Sequence, residues 1–397
     1  MTHRERMLAA LTGQPSDRLP WSPRVDVWYL ANAARGTLPA SLAGKDLVGI
    51  AQELGVACHI LGSDGRRQPA VAEGRLRCLG LGNHPDAPFR IDLHGIDVAR
   101  ELTDDHEHVR IVTPSGEITA HLMQTDEMRR NGISALFAVK PPIAGVDDLE
   151  AVGDVFERVE VTATLDGYDA LHARVGDQGL AICRGLAGSP MHMILQLCHP
   201  EQFFYLYADD RAALYRLAER MTPFFEAALD CAVASTAEAV LWGGNYHQDL
   251  TWPAFFEKEI LPWMRHVSER LHGADKLLLS HCDGENDALT ELIRRTGANA
   301  AESVCPAPMT RLSLAELRAR WLPDVAVFGG IPSIVLLPDV FSDRQYRAYM
   351  DAAFSQLGSG ERQILGVADM VPPDADLDRL TDVGRRVEAF GPVEVRG

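Results

Sequence analysis

The stretch Leu277-Leu-Leu-Ser-His-Cys-Asp-Gly-Glu-Asn286 decides the fold, because an apolar run stops abruptly at an imidazole, a thiol and a carboxylate. A short apolar run bounded by glycine reads as a buried strand of a parallel sheet, and in barrel enzymes the chemistry gathers where such strands end. His281, Cys282 and Asp283 are therefore candidate site residues. Imidazole and thiolate suit zinc, whereas carboxylate also serves harder cations and acid/base work. The competing reading makes Cys282 a small buried filler and gives His281 one structural hydrogen bond.

Outward from that strand, the chain beyond about residue 160 alternates helical stretches with further apolar runs. Strands are predicted over residues 180–183, 240–242, 276–280, 300–304, 325–328 and 364–367, with two earlier ones over 21–28 and 56–61. Strands separated by helix-length segments build right-handed βαβ units and a parallel sheet. Eight of them close as an α/β fold of the (β/α)8, TIM-type barrel kind. Residues 89–140 change character and alternate around a Thr113-Pro-Ser-Gly116 turn, which predicts an antiparallel hairpin region. The expected organisation is one barrel domain over residues 1–397 with a β-rich insertion at about 65–160. Residues 2–12 read as a short amphipathic helix with Met7, Leu8 and Leu11 on one side.

The composition narrows the function classes. An apolar share of 46% with 24% charged residues is that of a globular protein with a large core. A net charge of -18 argues against a nucleic-acid partner, whose phosphates need clustered Lys and Arg. No run reaches the length of a membrane span and the polar start does not read as a signal peptide, so no membrane association and a cytoplasmic location are expected. Seven scattered cysteines show no disulfide framework.

The predicted strand ends collect Arg184, Gly243-Gly-Asn-Tyr-His247, His281-Cys-Asp-Gly284, Glu302 with Cys305, Gly329-Gly330 and Asp369. Glycine pairs permit close backbone approach, and the charged groups arrive from separate strands. His281, Glu302 and Asp369 are three potential metal ligands from three strands, the number a catalytic zinc takes beside one open position. An ion pair with an arginine is the competing role for Glu302 and Asp369. Asn245, Tyr246 and His247 offer hydrogen bonds or a proton relay to a substrate. Arg184 suits an anionic group. Arg24, Asp26 and Trp28 alternate along the first predicted strand, so Arg24 and Asp26 either bridge each other or face the mouth as substrate-binding groups.

The segment Arg4-Glu-Arg-Met-Leu-Ala-Ala-Leu-Thr-Gly-Gln-Pro-Ser-Asp-Arg-Leu-Pro20, the Val27-Trp28 pair, Thr113-Pro-Ser-Gly116, the His281-x-Asp-Gly284 segment and Gly329-Gly-Ile-Pro332 together resemble the uroporphyrinogen decarboxylase superfamily over nearly the whole chain. The resemblance implies a distorted (β/α)8 barrel. Decarboxylases of this family carry an arginine-rich segment after the Val-Trp pair that holds the substrate's carboxylates. The matching stretch here, Leu30-Ala-Asn-Ala-Ala-Arg-Gly36, has Ala31 for the first arginine and keeps the second as Arg35. The chain is thus closer to the cobalamin-dependent methyltransferase branch, whose zinc motif is His-x-Cys, a Glu and a distant Cys. His281 and Glu302 match that motif, Asp283 stands at the first Cys, and Asp369 in Gly366-Val-Ala-Asp-Met-Val-Pro-Pro373 stands near the second. Cys282, offset by one residue, is the alternative thiolate.

This resemblance implies a zinc-assisted methyltransferase moving a methyl group between a small substrate and a corrinoid. No Asp-x-His-x-x-Gly corrinoid-binding segment is present, so the cobalamin is expected on a partner protein. The assignments are His281, Glu302 and Asp369 to metal, Tyr246, His247 and Asp283 to catalysis, and Arg24, Asp26, Arg184 and Asn245 to substrate. The alternative is a metal-independent decarboxylase or lyase acting on a small carboxylate anchored by Arg24, Arg35 or Arg184.

Overall fold

The protein's computed structural model describes residues 1–61, 76–133 and 136–395. After β1 (Cys58–Leu61) come β2 (Phe89–Leu93), β3 (Asp97–Leu102), β4 (His106–Thr113), β5 (Gly116–Met123), β6 (Phe137–Lys140) and β7 (Val159–Ala163). They are followed by β8 (Gly179–Arg184), β9 (Ala239–Leu241), β10 (Leu277–His281), β11 (Ala300–Val304), β12 (Ala326–Pro332) and β13 (Gln363–Ala368). β1 and β8 to β13 form one seven-stranded parallel sheet in the order β1-β8-β9-β10-β11-β12-β13. Helices between successive strands cover its outer face, which is the TIM-like arrangement expected of such alternation.

The eighth strand position is filled by three residues only. Between β13 and β1, Ser22 N donates to Leu365 O at 2.8 Å, Leu365 N to Pro20 O at 2.9 Å and Ala57 N to Trp21 O at 2.8 Å. The strand predicted over 21–28 is therefore corrected: the ladder stops after Ser22 and the chain turns helical at Asp26–Arg35. Pro23 lacks the N–H that would extend the ladder. Beyond it the buried residues Val25, Trp28 and Tyr29 recur at helical spacing. The other predicted strands are present, with β12 running on through Gly329 and Gly330 to Pro332. Gly329 is needed there, because a Cβ on it would lie 2.6 Å from the backbone N and O of Val304 on β11.

Alternation along the strands divides the core in two. Leu180, Ile182, Leu241, Leu279, Ala300, Phe328 and Ile364 point inward and pack with Met7 and Leu11 of the helix His3–Thr12, which plugs the base of the barrel. Ala181, Val240, Leu278, Ala301, Val327 and Leu365 point outward into the larger core beneath the helices. The same period of two makes Arg184, His281 and Glu302 inward-facing at the top of their strands. Among the described residues no helix is long and apolar enough to cross a membrane.

The antiparallel strands form a sheet β3-β4-β5-β6 and a separate pair β2-β7. The hairpin predicted around residues 113–116 is present, with Thr113 opposite Gly116. Residues 65–75 of the expected insertion lie outside the described residues. Val109, Ile111, Ile118 and Ala120 alternate onto the sheet face that shares the main core with Val152 and Val155 of the helix Asp148–Phe156. That helix is pinned by a buried carboxylate. Asp154 accepts from Arg220 at 2.7 Å and from the Ser115 amide at 2.8 Å, joining hairpin, insertion helix and the long helix Arg211–Ala234. Burial raises the pKa of Asp154, but the Arg220 and Ser115 hydrogen bonds outweigh it and hold the group down at about 2. A depressed carboxylate stabilises the fold above its unfolded value near 4 and loses that contribution as pH falls through the folded value. Asp154→Asn should accordingly cost about 2 kcal/mol in urea unfolding at pH 7. The gap to wild type should close between pH 4 and pH 2.

Candidate active site

His281 and Glu302 sit side by side in the parallel register of β10 and β11. Nδ1 of His281 meets Oε2 of Glu302 at 2.5 Å, on a carboxylate only 1% exposed. The other nitrogen, Nε2, faces Oδ2 of Asp283 at 3.6 Å and Oδ1 of Asp369 at 3.7 Å. Asp283 lies two residues beyond β10, and Asp369 directly follows β13. One donor atom each of His281, Asp283 and Asp369 lies within 4.8 Å of the other two.

Around this group a second set of contacts fixes the acids. Arg24 donates from Nη1 to Oδ1 of Asp369 at 3.1 Å and from Nη2 to Oδ2 of Asp26 at 3.2 Å. Ser303 Oγ donates within reach of both Glu302 Oε1, at 2.8 Å, and Asp369 Oδ1, at 3.1 Å. Adjacent strand residues ordinarily face opposite ways. Here Ser303 has φ of 61° and the β11–β12 register shifts between Ala301 and Val304, so both Glu302 and Ser303 reach the site. His59, buried on β1, brings Nε2 to 3.6 Å from Glu302 Oε1, with its ring on Phe328.

The electrostatics follow from these contacts. Burial works against a charged His281, but the charge of Glu302 and the hydrogen bond to Asp283 outweigh it and raise its pKa to about 10. Burial works against an ionised Glu302 as well, and His281 overrides it to hold that carboxyl at about 2. Asp283 is lowered, its burial overcome by His281. Asp369 is raised by burial, with the Glu302 and Asp283 carboxylates adding to it against Arg24 and His281. Burial pushes His59 down to about 4, so its imidazole is neutral at pH 7.

The predicted site residues separate into those the fold gathers and those it does not. His281, Asp283 and Asp369 converge. Glu302, expected beside His281 and Asp369 as the third ligand, stands behind them as the partner of His281, and Asp283, expected in catalysis, takes the third place in the group. Arg24 and Asp26 do bridge each other, from the turn and the first residue of a helix instead of from one strand face. Arg184 ends β8 and is exposed, with no hydrogen-bond or ion-pair partner among the described residues. Lost solvation first, then the like charge of Arg24, pulls its pKa down.

Tyr246 is a correction. It is fully buried between the rings of His192 and Phe256, and its hydroxyl lies so close to Gly188 and Gly243 that a side chain at either would strike it. It is core, not a proton relay. His247 is half-exposed, with Asp249 Oδ2 3.8 Å from its Nδ1. Asn245 is exposed at φ of 56°. Gly244 lets this loop lie against His281, since a Cβ there would come within 2.7 Å of the His281 Cβ. Cys282 and Cys305 are both buried, and burial pushes both thiols up, Cys305 to about 12, so neither is poised as a thiolate.

Sequence reasoning missed Ser303 and His59. His59 was findable, as a lone imidazole inside the apolar run 56–61; Ser303 was not, because its direction depends on the backbone irregularity in β11.

The family model described as Uroporphyrinogen decarboxylase (URO-D) matches residues 135–390. Comparison with curated proteins gives no match. Among solved structures, a methyltransferase from Methanosarcina mazei superposes with a TM-score of 0.56 at 13% identity, covering 98% of this chain and 99% of that one. At this identity the likeness is one of fold.

Glu302→Ala should destabilise the protein in chelator-containing buffer by about 3 to 5 kcal/mol, because it strands the His281 imidazolium in a buried site. Glu302→Gln keeps a hydrogen-bond acceptor and should cost less. Urea unfolding of the two variants beside wild type measures the difference.

Proposed function

Because the chain belongs to the uroporphyrinogen decarboxylase (URO-D) family, we propose that it is an enzyme that moves a methyl group between a small substrate and a corrinoid carried by a partner protein, with a divalent ion, zinc foremost, at His281, Asp283 and Asp369. The observation that carries this reading is the orientation of His281. Its Nδ1 is committed to a buried carboxylate while Nε2 faces two further carboxylates, the carboxylate–histidine–metal arrangement in which the outer acid fixes the tautomer and ring direction.

The donor set fits such an ion. Ligands held tetrahedrally at zinc's usual bond lengths lie roughly 3.4 Å from one another; the Nε2 separations are 3.6 and 3.7 Å and all three donor atoms lie within 4.8 Å, so side-chain rotation of the two acids brings the set together. Three protein ligands leave one position for substrate. When bound, the ion supplies Lewis acidity to a substrate thiol, oxygen or amine. With one nitrogen and two carboxylates, the site is less selective for zinc than a thiolate site. Arg24 and Ser303 hold Asp369 in place, and Glu302 holds His281. Arg184 presents an unpaired cation to an anionic group of the substrate. Asn245 and His247 stand on the adjoining loop as substrate contacts.

Against decarboxylation of a polycarboxylate stands the fate of the two arginine positions. Ala31 is fully buried, and Arg35 is tied to Asp374, Asn131 and the Arg130 carbonyl. The similar solved structure, a methyltransferase, supports the methyl-transfer reading over a lyase.

Protein purified without chelator should contain about one divalent ion per chain. His281→Ala, Asp283→Ala and Asp369→Ala should each lower zinc affinity by about a hundredfold or more, Glu302→Gln by about tenfold to a hundredfold, and Cys282→Ser not at all. Zinc titration calorimetry reads these differences, and anaerobic incubation with methylcobalamin or cob(I)alamin reads transfer. Full activity after exhaustive chelation would sink the metal role and bring forward the metal-independent lyase acting on a small carboxylate.

A further inference from the structure

The base of the barrel, at the opposite end from the His281 group, holds a cavity of about 180 Å³. Its walls come from four parts of the chain: the helix His3–Thr12, the closing segment 18–21, the turn 54–56 before β1 and the helix Leu377–Phe390. In a chain of net charge -18 these walls carry three cations, Arg6, Arg18 and Arg385, against a single carboxylate, Glu388, with His3 held neutral beside them by burial and then by Arg6.

The cations are unequally committed. Arg6 is held by Asp17 at 2.7 Å. Arg18 meets only Glu388, at 3.5 Å, on a side chain 68% exposed. Arg385 stays 4.0 Å from Asp382, and His3 is a neutral imidazole with no hydrogen-bond partner among the described residues. Trp21, also in the wall, is 4% exposed and its indole N–H has no acceptor. A buried donor left unpaired costs free energy that a ligand oxygen recovers. The remaining wall, including Leu54, Val56 and Leu380, is apolar.

We propose that this cavity is a second binding site, for a small organic anion whose acid group is taken by Arg18, Arg385 and His3 while its apolar body lies against Trp21 and the neighbouring aliphatic wall. Paired guanidinium groups suit a carboxylate or phosphate oxygen pair. The site does not depend on the methyl-transfer reading, because none of its residues belongs to the mouth. A ligand seated there ties the barrel plug, the closing segment and the C-terminal helix together, so binding raises the melting temperature.

Phenyl phosphate is a suitable probe, with benzyl alcohol as the uncharged arm. Arg184 in the mouth offers a second place for an anion, so the titrations use Arg184→Ala protein. Calorimetry should show one saturable site per chain for phenyl phosphate, weakened by added salt, and a rise in melting temperature. Adding Arg18→Ala and Arg385→Ala, both at solvent-accessible side chains, should weaken binding by about tenfold or more. Trp21→Phe, which keeps the ring and removes the N–H, should weaken it by a smaller factor and abolish most of the ligand-induced fluorescence change. Absence of saturable binding at millimolar probe, equal affinity for benzyl alcohol, or unchanged affinity in the doubly arginine-substituted protein would each overturn the proposal.

Discussion

A carboxylate that is 1% exposed has to be answered by its neighbours, and Glu302 is such a group. Removing an ion from water costs several kcal/mol that only close opposite charge and hydrogen bonds restore. His281 at 2.5 Å, the Ser303 hydroxyl and the more distant His59 are the reply. Once His281 is pinned by that need, its second nitrogen can point only toward the rim, where Asp283 and Asp369 stand. Asp369 in turn draws Arg24, and Arg24 draws Asp26, so the demand of one buried charge orders residues from both ends of the chain. The mouth is organised from below, and the groups open to substrate are the last members of the chain of contacts.

The fold makes this possible by stacking two environments in one barrel. Beneath Glu302 the inward positions are aliphatic or aromatic, sealed by Met7 and Leu11 from the N-terminal helix. That apolar layer offers Glu302 no polar partner from below, so its partners come from its own level and the rim. The irregular turn of β11 at Ser303 then places two consecutive polar side chains on the same side, a density of function that a regular strand would not permit.

Much of this was legible before any coordinates. Apolar runs ending in polar residues locate all seven strands of the parallel sheet and bring His281, Glu302 and Asp369 to one rim, but they name Glu302 where the structure puts Asp283 beside His281 and Asp369. The resemblance to the uroporphyrinogen decarboxylase superfamily agrees with the family match over residues 135–390. The segment 21–28 misled, since alternating Arg24, Asp26 and Trp28 also satisfy a helix whose buried face includes Trp28 and Tyr29. Tyr246 misled for a different reason: a polar tip at a strand end was read as solvent-facing, whereas the glycines at 188 and 243 leave just enough room to draw the ring inward. Glu302's place behind His281 depends on rotamers and on the pairing of β10 with β11, neither of which a single sequence encodes locally.

The three-residue seam between β13 and β1 has a bearing on how the molecule is made. Every other neighbour relation in the parallel sheet joins strands that follow one another once residues 62–178 are set aside, so each of those pairings can form as soon as its second strand has been made. Trp21 must wait for Leu365. Until β13 is synthesised, the nascent sheet is an open arc whose seam residues are paired on the β1 side only, through Ala57 and Trp21, and the helix His3–Thr12 has no finished base to plug. Long-range closure of this kind is slow and leaves strand edges open to wrong partners in the meantime. Folding is therefore most exposed until β13 has been made, and a chaperone that shields the helix His3–Thr12 and the seam residues Pro20–Ser22 would act on the step that completes the barrel.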